Sequence, residues 1–306
     1  MHSKSVHPSL ASQDRNDPDA IGETMLDVEI VASVCPKATI KVYFCRWSEQ
    51  GWINNLDAAL SDDPSVVTVS YGLSEGTDIW TQQAIDQVND SLKELANAGI
   101  TVCVSSGDDG SQDQVADGLA HVDFPASSPY VLAVGGTSLK KSTGKEVVWF
   151  DGDGLRQDGG GSTGGGVSQM NPRPSWQTTE IPCVNPPHSF GRVVPDVSAN
   201  AAGSTGYLMV SQGTAEVSGG TSAATPLWAA LIARLQQAGK AVGFLPPRLY
   251  QSTATTAGKS LGAVACRDIT VGSNASGTAE GYSARAGFDA TTGWGSPIGT
   301  ELMSNL

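Results

Sequence analysis

Histidine is scarce in this chain, with four among 306 residues: His2, His7, His121 and His188. None stands where a catalytic base is expected. His2 and His7 lie in a polar leader, His188 follows Pro186-Pro187, and His121 precedes Val122-Asp123-Phe124-Pro125 with no helix start behind it. A hydrolase made from this sequence needs another base. A histidine-dependent hydrolase using His121 ranks third among the readings, because that residue is better explained as a hydrogen-bonded structural one. Cations are also few, 18 Lys and Arg against 31 Asp and Glu, for a net charge of -13. With no basic run or aromatic-basic patch, nucleic-acid binding is excluded as a primary function. No apolar run reaches the roughly 18 residues a membrane span needs, and the leader has no apolar signal core. Five cysteines (35, 45, 103, 183 and 266) show no metal spacing, and an odd count leaves at least one thiol unpaired. The acidic balance suits a protein that works in acid, and ordinary solubility explains it equally well.

What is present centres on Ser222. In Ser218-Gly219-Gly220-Thr221-Ser222-Ala223-Ala224-Thr225-Pro226 a glycine-rich turn hands the chain to an apolar helix. A hydroxyl at a helix N-terminus sits among unpaired N–H groups and the positive end of the dipole, which suit a nucleophile and the oxyanion it creates. Three carboxyls qualify as its partners. Glu23 and Asp27 stand four apart and share a helix face. Met25, Leu26, Ile30 and Val31 turn the rest of that helix to a core, so the pair is partly desolvated and shares a proton in mild acid. Asp108 follows Ile100 to Val104, a buried-type strand, at the carboxyl end where open α/β sheets carry their sites. Glu29 points away from the Glu23 face and reads as solvated or paired.

Four separated motifs, Ser-Gly-Gly-Thr-Ser-x-x-x-Pro, Glu-x-x-x-Asp, Ser-Ser-Gly-Asp and Gly161-Ser162-Thr163-Gly164-Gly165-Gly166, together resemble the sedolisins, the serine-carboxyl peptidases, and most closely their kumamolisin branch. The likeness runs from about Gly22 to the C-terminus. It implies a subtilisin-like fold and an acid-acting endopeptidase in which Ser222 is the nucleophile, Glu23 the general base, Asp27 the residue that orients and shares a proton with Glu23, and Asp108 the oxyanion donor. It also implies peptide or protein substrates, a pro-domain, secretion and a monomer. Asp268-Ile269 and Gly287-Phe288-Asp289 resemble the family's calcium site, with one structural Ca2+ held by the Asp268 and Asp289 side chains and by carbonyls of Ile269, Arg285 and Gly287; Arg285 stands where a glycine is expected. Hard oxygen ligands suit calcium rather than zinc, and turn-capping is the bland alternative for these aspartates. Asp123 resembles a specificity-pocket acid that favours a basic substrate side chain; an Asx turn before Pro125 explains it equally well. The family carries more chain, including a sheet strand, ahead of the Glu-x-x-x-Asp helix. A calcium-stabilised scaffold or binding protein that has lost activity is therefore the second reading.

Strands and helices alternate as in an α/β, doubly wound, mainly parallel sheet with helices on both faces. Thr39 to Phe44, Val66 to Ser70, Ile100 to Val104 and Val131 to Val134 read as strands; Trp52 to Leu60 and Thr81 to Ala98 read as helices, the latter with Ile85, Val88, Leu92 and Leu95 on one face. Leu227 to Leu235 is apolar nearly all round, as a buried helix should be. Residues 1–21 are expected to be loop or disordered, and 22–306 one catalytic domain. The run Gly159 to Gly166 lacks the ending of a phosphate loop; it is expected to form, with Ser70-Tyr71-Gly72, a backbone ledge that pairs with an extended substrate through Gly164 and Gly165. A flexible surface loop is the alternative for that run.

Overall fold

The computed structural model describes residues 4–6, 18–252 and 255–306. Its frame is a sheet in which β3 (Val66–Val69), β5 (Thr101–Ser105), β7 (Leu132–Lys140) and β13 (Val197–Asn200) run parallel in the order β13-β7-β5-β3, while β8 (Lys145–Val148) pairs antiparallel with β7. Separate short pairs accompany it: β1 (Lys4–Val6) with β2 (Lys41–Tyr43), β4 (Leu73–Ser74) with β6 (Asp123–Phe124), β9 (Phe150–Asp151) with β10 (Gly161–Ser162), and β11 (Gly166–Pro172) with β12 (Gly191–Val194). A ribbon of β14 (Tyr207–Ser211) and β15 (Thr214–Ser218) follows.

Period-two alternation in β5 divides the core. Cys103 points into one apolar cluster with Leu132, Val134 and helix residues Trp228, Ile232 and Leu235; Val102 and Val104 point into the other, with Ile85, Val88, Leu92 and Leu95. The first face is covered by α4 (Thr221–Gln237) and the second by α2 (Glu49–Ser61) and α3 (Gln82–Asn97). Thr81 caps α3 by accepting from the Ala84 N–H at 3.1 Å, as Ser48 caps α2 from Gly51. Ile232 and Leu235 are fully buried, worth about 1.5–3 kcal/mol each relative to exposure.

Helix α1 (Pro18–Val34) lies against α4 and the β14–β15 ribbon through Leu26 and Ile30. This corrects the expected leader: the helix is under way by Pro18 and Lys4–Val6 pairs as a strand, whereas 1–21 read as loop. Proline is tolerated in a first helical turn, where no N–H is missed, and a short parallel pairing leaves no periodic signal in three residues. His2 and His7 lie outside the described residues.

Candidate active site

Helix α4 brings the nucleophile candidate to the carboxyl end of the sheet. Gly220 precedes it at φ +87°, a conformation open to glycine, and a side chain there would meet the Asp108 carboxyl at 2.7 Å. Thr221 and Ser222 then form the first turn, and Ser222 is almost fully buried. Pro226, four residues on, lies inside the helix and has no N–H to give. The Ser222 carbonyl is thereby released from its intrahelical bond, and the Ser70 hydroxyl donates to it at 3.2 Å.

The expected carboxyl pair converges on this turn. The Ser222 hydroxyl is the hydrogen-bonding neighbour of the Glu23 carboxyl and favours its ionised form. Burial outweighs that bond and, with Asp108 adding to it and Arg156 opposing, pushes Glu23 up to about 7. Glu23 Oε1 is buried with no hydrogen-bond partner. Asp27 is held well above the usual carboxylate range by burial and by Glu23, against a hydrogen bond from Ser70. That bond, Ser70 Oγ to Asp27 Oδ1, is 2.7 Å long. The Ser70 side chain faces inward to Asp27 and Ser222, so any contact it makes with substrate is left to its main chain. Glu29 accepts the Val210 N–H on the ribbon, 2.9 Å away, and so is paired.

Asp108 approaches from the loop after β5. Its Oδ1 accepts both the N–H and the hydroxyl of Thr221 at 2.7 Å. Oδ2 lies over Gly220, with Arg156 Nη1 4.0 Å away. In a protonated Asp108 the oxygen that already accepts twice would be the carbonyl oxygen, which leaves Oδ2 as the one to carry the proton. Sequence reasoning missed Arg156 and two of the carboxyls behind it, Asp109 and Asp113. Asp109, buried, accepts the Arg156 main-chain N–H and Nε at 2.8 Å and pairs with Nη2 at 2.7 Å. Asp113 and Asp123 both face Gly107, next to Asp108: a side chain on Gly107 would meet Asp123 Oδ2 at 2.7 Å and Asp113 Oδ1 at 3.3 Å. Burial pushes Asp113 up to about 7, helped by Asp109 and Glu75 and opposed by Ser74 and Arg156. Asp123 is driven well above its usual range by burial and then by Asp113. Gln112-Asp113-Gln114 reads as polar surface loop, and no local signal marks it as buried.

Asp123 also borders Gly72, whose Cβ would lie 3.3 Å from its carboxyl. The turn after Asp123 is closed by the Ser127 N–H on its main-chain carbonyl at 2.9 Å. Tyr71, between Ser70 and Gly72, is exposed and sits 6.2 Å from the Trp47 ring, centroid to centroid. Gly164 and Gly165 correct the expected ledge. Both are buried; the Gly164 N–H donates to the Gly107 carbonyl at 2.8 Å, and its own carbonyl accepts the Ser106 hydroxyl at 2.9 Å. A Cβ on Gly164 would stand 1.9 Å from the Ser106 carbonyl, and one on Gly165 2.4 Å from that of Ala290. At Gly164 the run is a packing seam, with its N–H and carbonyl already paired. His121 hydrogen-bonds Asp117 at 3.0 Å and lines a cavity with Glu75 and Met170, apart from the Ser222 turn.

The C-terminal loop joins the residues expected to hold a metal. Asp268 Oδ2 accepts the Gly287 N–H at 2.9 Å, and Asp289 Oδ2 accepts the Arg285 N–H at 3.0 Å. Asp289 Oδ1 takes the N–H and hydroxyl groups of Thr291 and Thr292. Gly287, at φ +82°, makes the bend between them. Among the described residues no hydrogen bond is donated to the carbonyls of Ile269, Arg285 or Gly287. Two carboxylates beside unpaired carbonyls fit a hard cation. The described residues hold no group of three or more His, Cys, Asp or Glu that could hold a metal ion, and no helix among them is long and apolar enough to cross a membrane. All five cysteines are free thiols.

Residues 11–295 match the subtilase family. Kumamolisin of Bacillus sp. (strain MN-32) is 45% identical over 303 residues, covering 96% of this chain and 52% of that protein. Human tripeptidyl-peptidase 1 is 32% identical, covering 93% of this chain and 51% of its own length. The chain thus spans about half the length of these curated relatives. The structure of Pseudomonas sedolisin, a serine-carboxyl proteinase complexed with two molecules of pseudo-iodotyrostatin, superposes with a TM-score of 0.82 at 31% identity, covering 99% of this chain and 84% of that one. A subtilisin-like α/β fold, a serine at the head of a buried helix and a Glu-x-x-x-Asp pair facing it place the chain in the subtilase family and, within it, among the sedolisins, the serine-carboxyl peptidases, on the kumamolisin branch.

Proposed function

We propose that the protein is an acid-acting serine-carboxyl endopeptidase. The observation that carries this reading is the convergence on one helix turn of Ser222, the Glu23 carboxyl at its hydroxyl, Asp27 behind it and Asp108 across Gly220. Ser222 Oγ attacks the scissile carbonyl and its proton passes to Glu23, while Asp27 shares the charge of the pair. The developing oxyanion receives the proton-bearing Oδ2 of Asp108, which donates a hydrogen bond while neutral. Glu23 returns the proton to the leaving amine, and the acyl-enzyme is then hydrolysed by a water that Glu23 deprotonates. Acid is required because Asp108 repels the oxyanion once ionised. The substrates are peptides or proteins, the protein is a secreted monomer, and its relatives' greater length includes a pro-domain.

Peptide hydrolysis from pH 3 to 8, by this protein and by Ser222→Ala, tests the reading. An acid optimum lost in the variant is expected; activity that survives the substitution, or that rises up to neutrality, overturns it.

One calcium ion belongs to the same proposal. Asp268, Asp289 and the carbonyls of Ile269, Arg285 and Gly287 would hold it, and its charge would tie the C-terminal loop to the domain. Chelation should lower the unfolding temperature by several degrees, and Asp268→Ala should make unfolding insensitive to added calcium; a calcium response unchanged in the variant contradicts the site.

A further inference from the structure

Ser70 has one hydroxyl proton and two acceptors within reach, Asp27 Oδ1 at 2.7 Å and the Ser222 carbonyl at 3.2 Å. Only one can receive it at a time. The second acceptor is available because of Pro226: in an uninterrupted helix the residue four positions on would donate to the Ser222 carbonyl, and proline cannot. The Ser-x-x-x-Pro spacing therefore leaves the nucleophile's own carbonyl open on the side where Ser70 follows β3. The hydroxyl is almost fully buried, so bulk water does not supply a ready substitute at either acceptor.

We propose that Ser70 is a positioning residue that couples the protonation state of Asp27 to the backbone of Ser222. With Asp27 ionised, Ser70 donates to its carboxylate and the Ser222 carbonyl is left open. With a proton on Asp27 Oδ1, that carboxyl becomes the donor, Ser70 accepts from it, and the Ser70 hydroxyl turns to the Ser222 carbonyl. A single rotation thus reports the state of the carboxyl pair to the turn that carries the nucleophile. No bond is made or broken beyond the hydrogen bonds, and the proton count is that of Asp27 alone. The inference rests on the proposed peptidase reading and deepens it.

Few other groups bear on Asp27. Glu23, on the same helix, raises it, and Glu23 is itself acted on by Asp108 and Arg156. The packed ribbon carries Tyr207, whose hydroxyl is committed to the Asn200 carbonyl, and the exposed Glu216; α4 carries Arg234, which donates to the Val34 carbonyl at the far end of α1. Ser70 is thus the donor that opposes burial at Asp27.

Two variants separate this role from a merely structural one. Activity needs the carboxyl pair to hold a charge, so its acidic limb follows uptake of the pair's second proton. Ser70→Ala removes the donor to Asp27 and should move that limb to higher pH by about one unit, with kcat reduced more than KM is changed. Ser70→Thr, which keeps the hydroxyl, should restore it. Pro226→Ala returns an N–H to the Ser222 carbonyl, leaves Ser70 only Asp27 to serve, and should move the limb the opposite way. Shifts in the same direction for Ser70→Ala and Pro226→Ala, or a Ser70→Ala profile superposed on the parent, overturn the inference. If Ser70→Ala does not fold, Ser70→Cys, a near-isostere and weak donor, should show a smaller upward shift, and a parental profile overturns the inference as well. Carboxyl infrared titration of the Ser222→Ala protein, with and without the change at position 70, reads the same displacement without turnover. Absence of hydrolysis by the parent therefore counts against the peptidase reading alone, while an unmoved carboxyl band counts against Ser70.

Discussion

With Asp108 as the proposed oxyanion donor, Asp108→Ala should lower kcat by about 10²–10³-fold, the usual cost of one such donor, with a much smaller effect on KM. The donor acts on the transition state and not on the bound substrate, so its loss falls on kcat. Asp108→Asn separates charge from geometry. Thr221 donates twice to Oδ1, which orients an asparagine with its carbonyl oxygen there and its amide over Gly220, where Oδ2 now lies. An amide donates at every pH. The asparagine variant should therefore keep most of the activity and extend it toward neutrality, until the remaining limb reports the carboxyl pair at Glu23. Steady-state pH profiles of the two variants check this, and an asparagine variant as inactive as the alanine one, with a parental pH limit, removes Asp108 from the role of neutral donor.

The folded state should lose stability as pH rises from about 4 to about 7, read as a falling denaturation midpoint. In the unfolded chain the carboxyls titrate near 3.9 for Asp and about 4.3 for Glu. Folding carries Glu23 and Asp113 up to about 7, and Asp27 and Asp123 well above their ordinary range, chiefly by burial. Their contribution is fully present below the unfolded values, where both states hold the protons. It is lost as pH climbs through the folded values, because the unfolded chain has released protons that the folded one must keep or replace with buried charge. One such group is worth roughly 4 kcal/mol across the window, and the Glu23–Asp27 and Asp113–Asp123 pairs share theirs. Asp62 and Asp117 are lowered, by Lys41 and Tyr43 and by Leu119 and His121, and work the other way; both carboxyls are solvent-accessible and weakly coupled to folding. Asp113→Asn, which cannot ionise, should flatten the fall. A midpoint that is constant or rising across the window in the parent contradicts the account.

Much of the framework is legible from local pattern. The 3.6-residue spacing of Ile85, Val88, Leu92 and Leu95 marks α3, and all four are buried. Thr81 is legible as a cap, and Gly99, at φ +77°, as a stop. The start of α1 was less legible, because polar residues ahead of Met25 carry no apolar stripe and the helix end is set by packing on α4. The glycine run was misread for a related reason. Its composition shows freedom of the backbone, but whether that freedom serves a substrate or a neighbouring strand depends on Ser106 and Ala290, which lie far off in the chain.

The sequence by itself determined the α/β alternation, the serine at a helix head, the Glu-x-x-x-Asp face and the aspartate at a strand end, since each is encoded in spacings of a few residues that secondary structure turns directly into position. Only the tertiary structure decided what surrounds them. Ser70 meets Asp27 across 43 residues and Ser222 across 152, and Arg156 meets Asp109 across 47. Partners that far apart leave no periodic trace. The burial that raises Glu23, Asp27, Asp113 and Asp123 likewise belongs to the packed site, because desolvation depends on which elements close over a carboxyl and not on its neighbours in the chain.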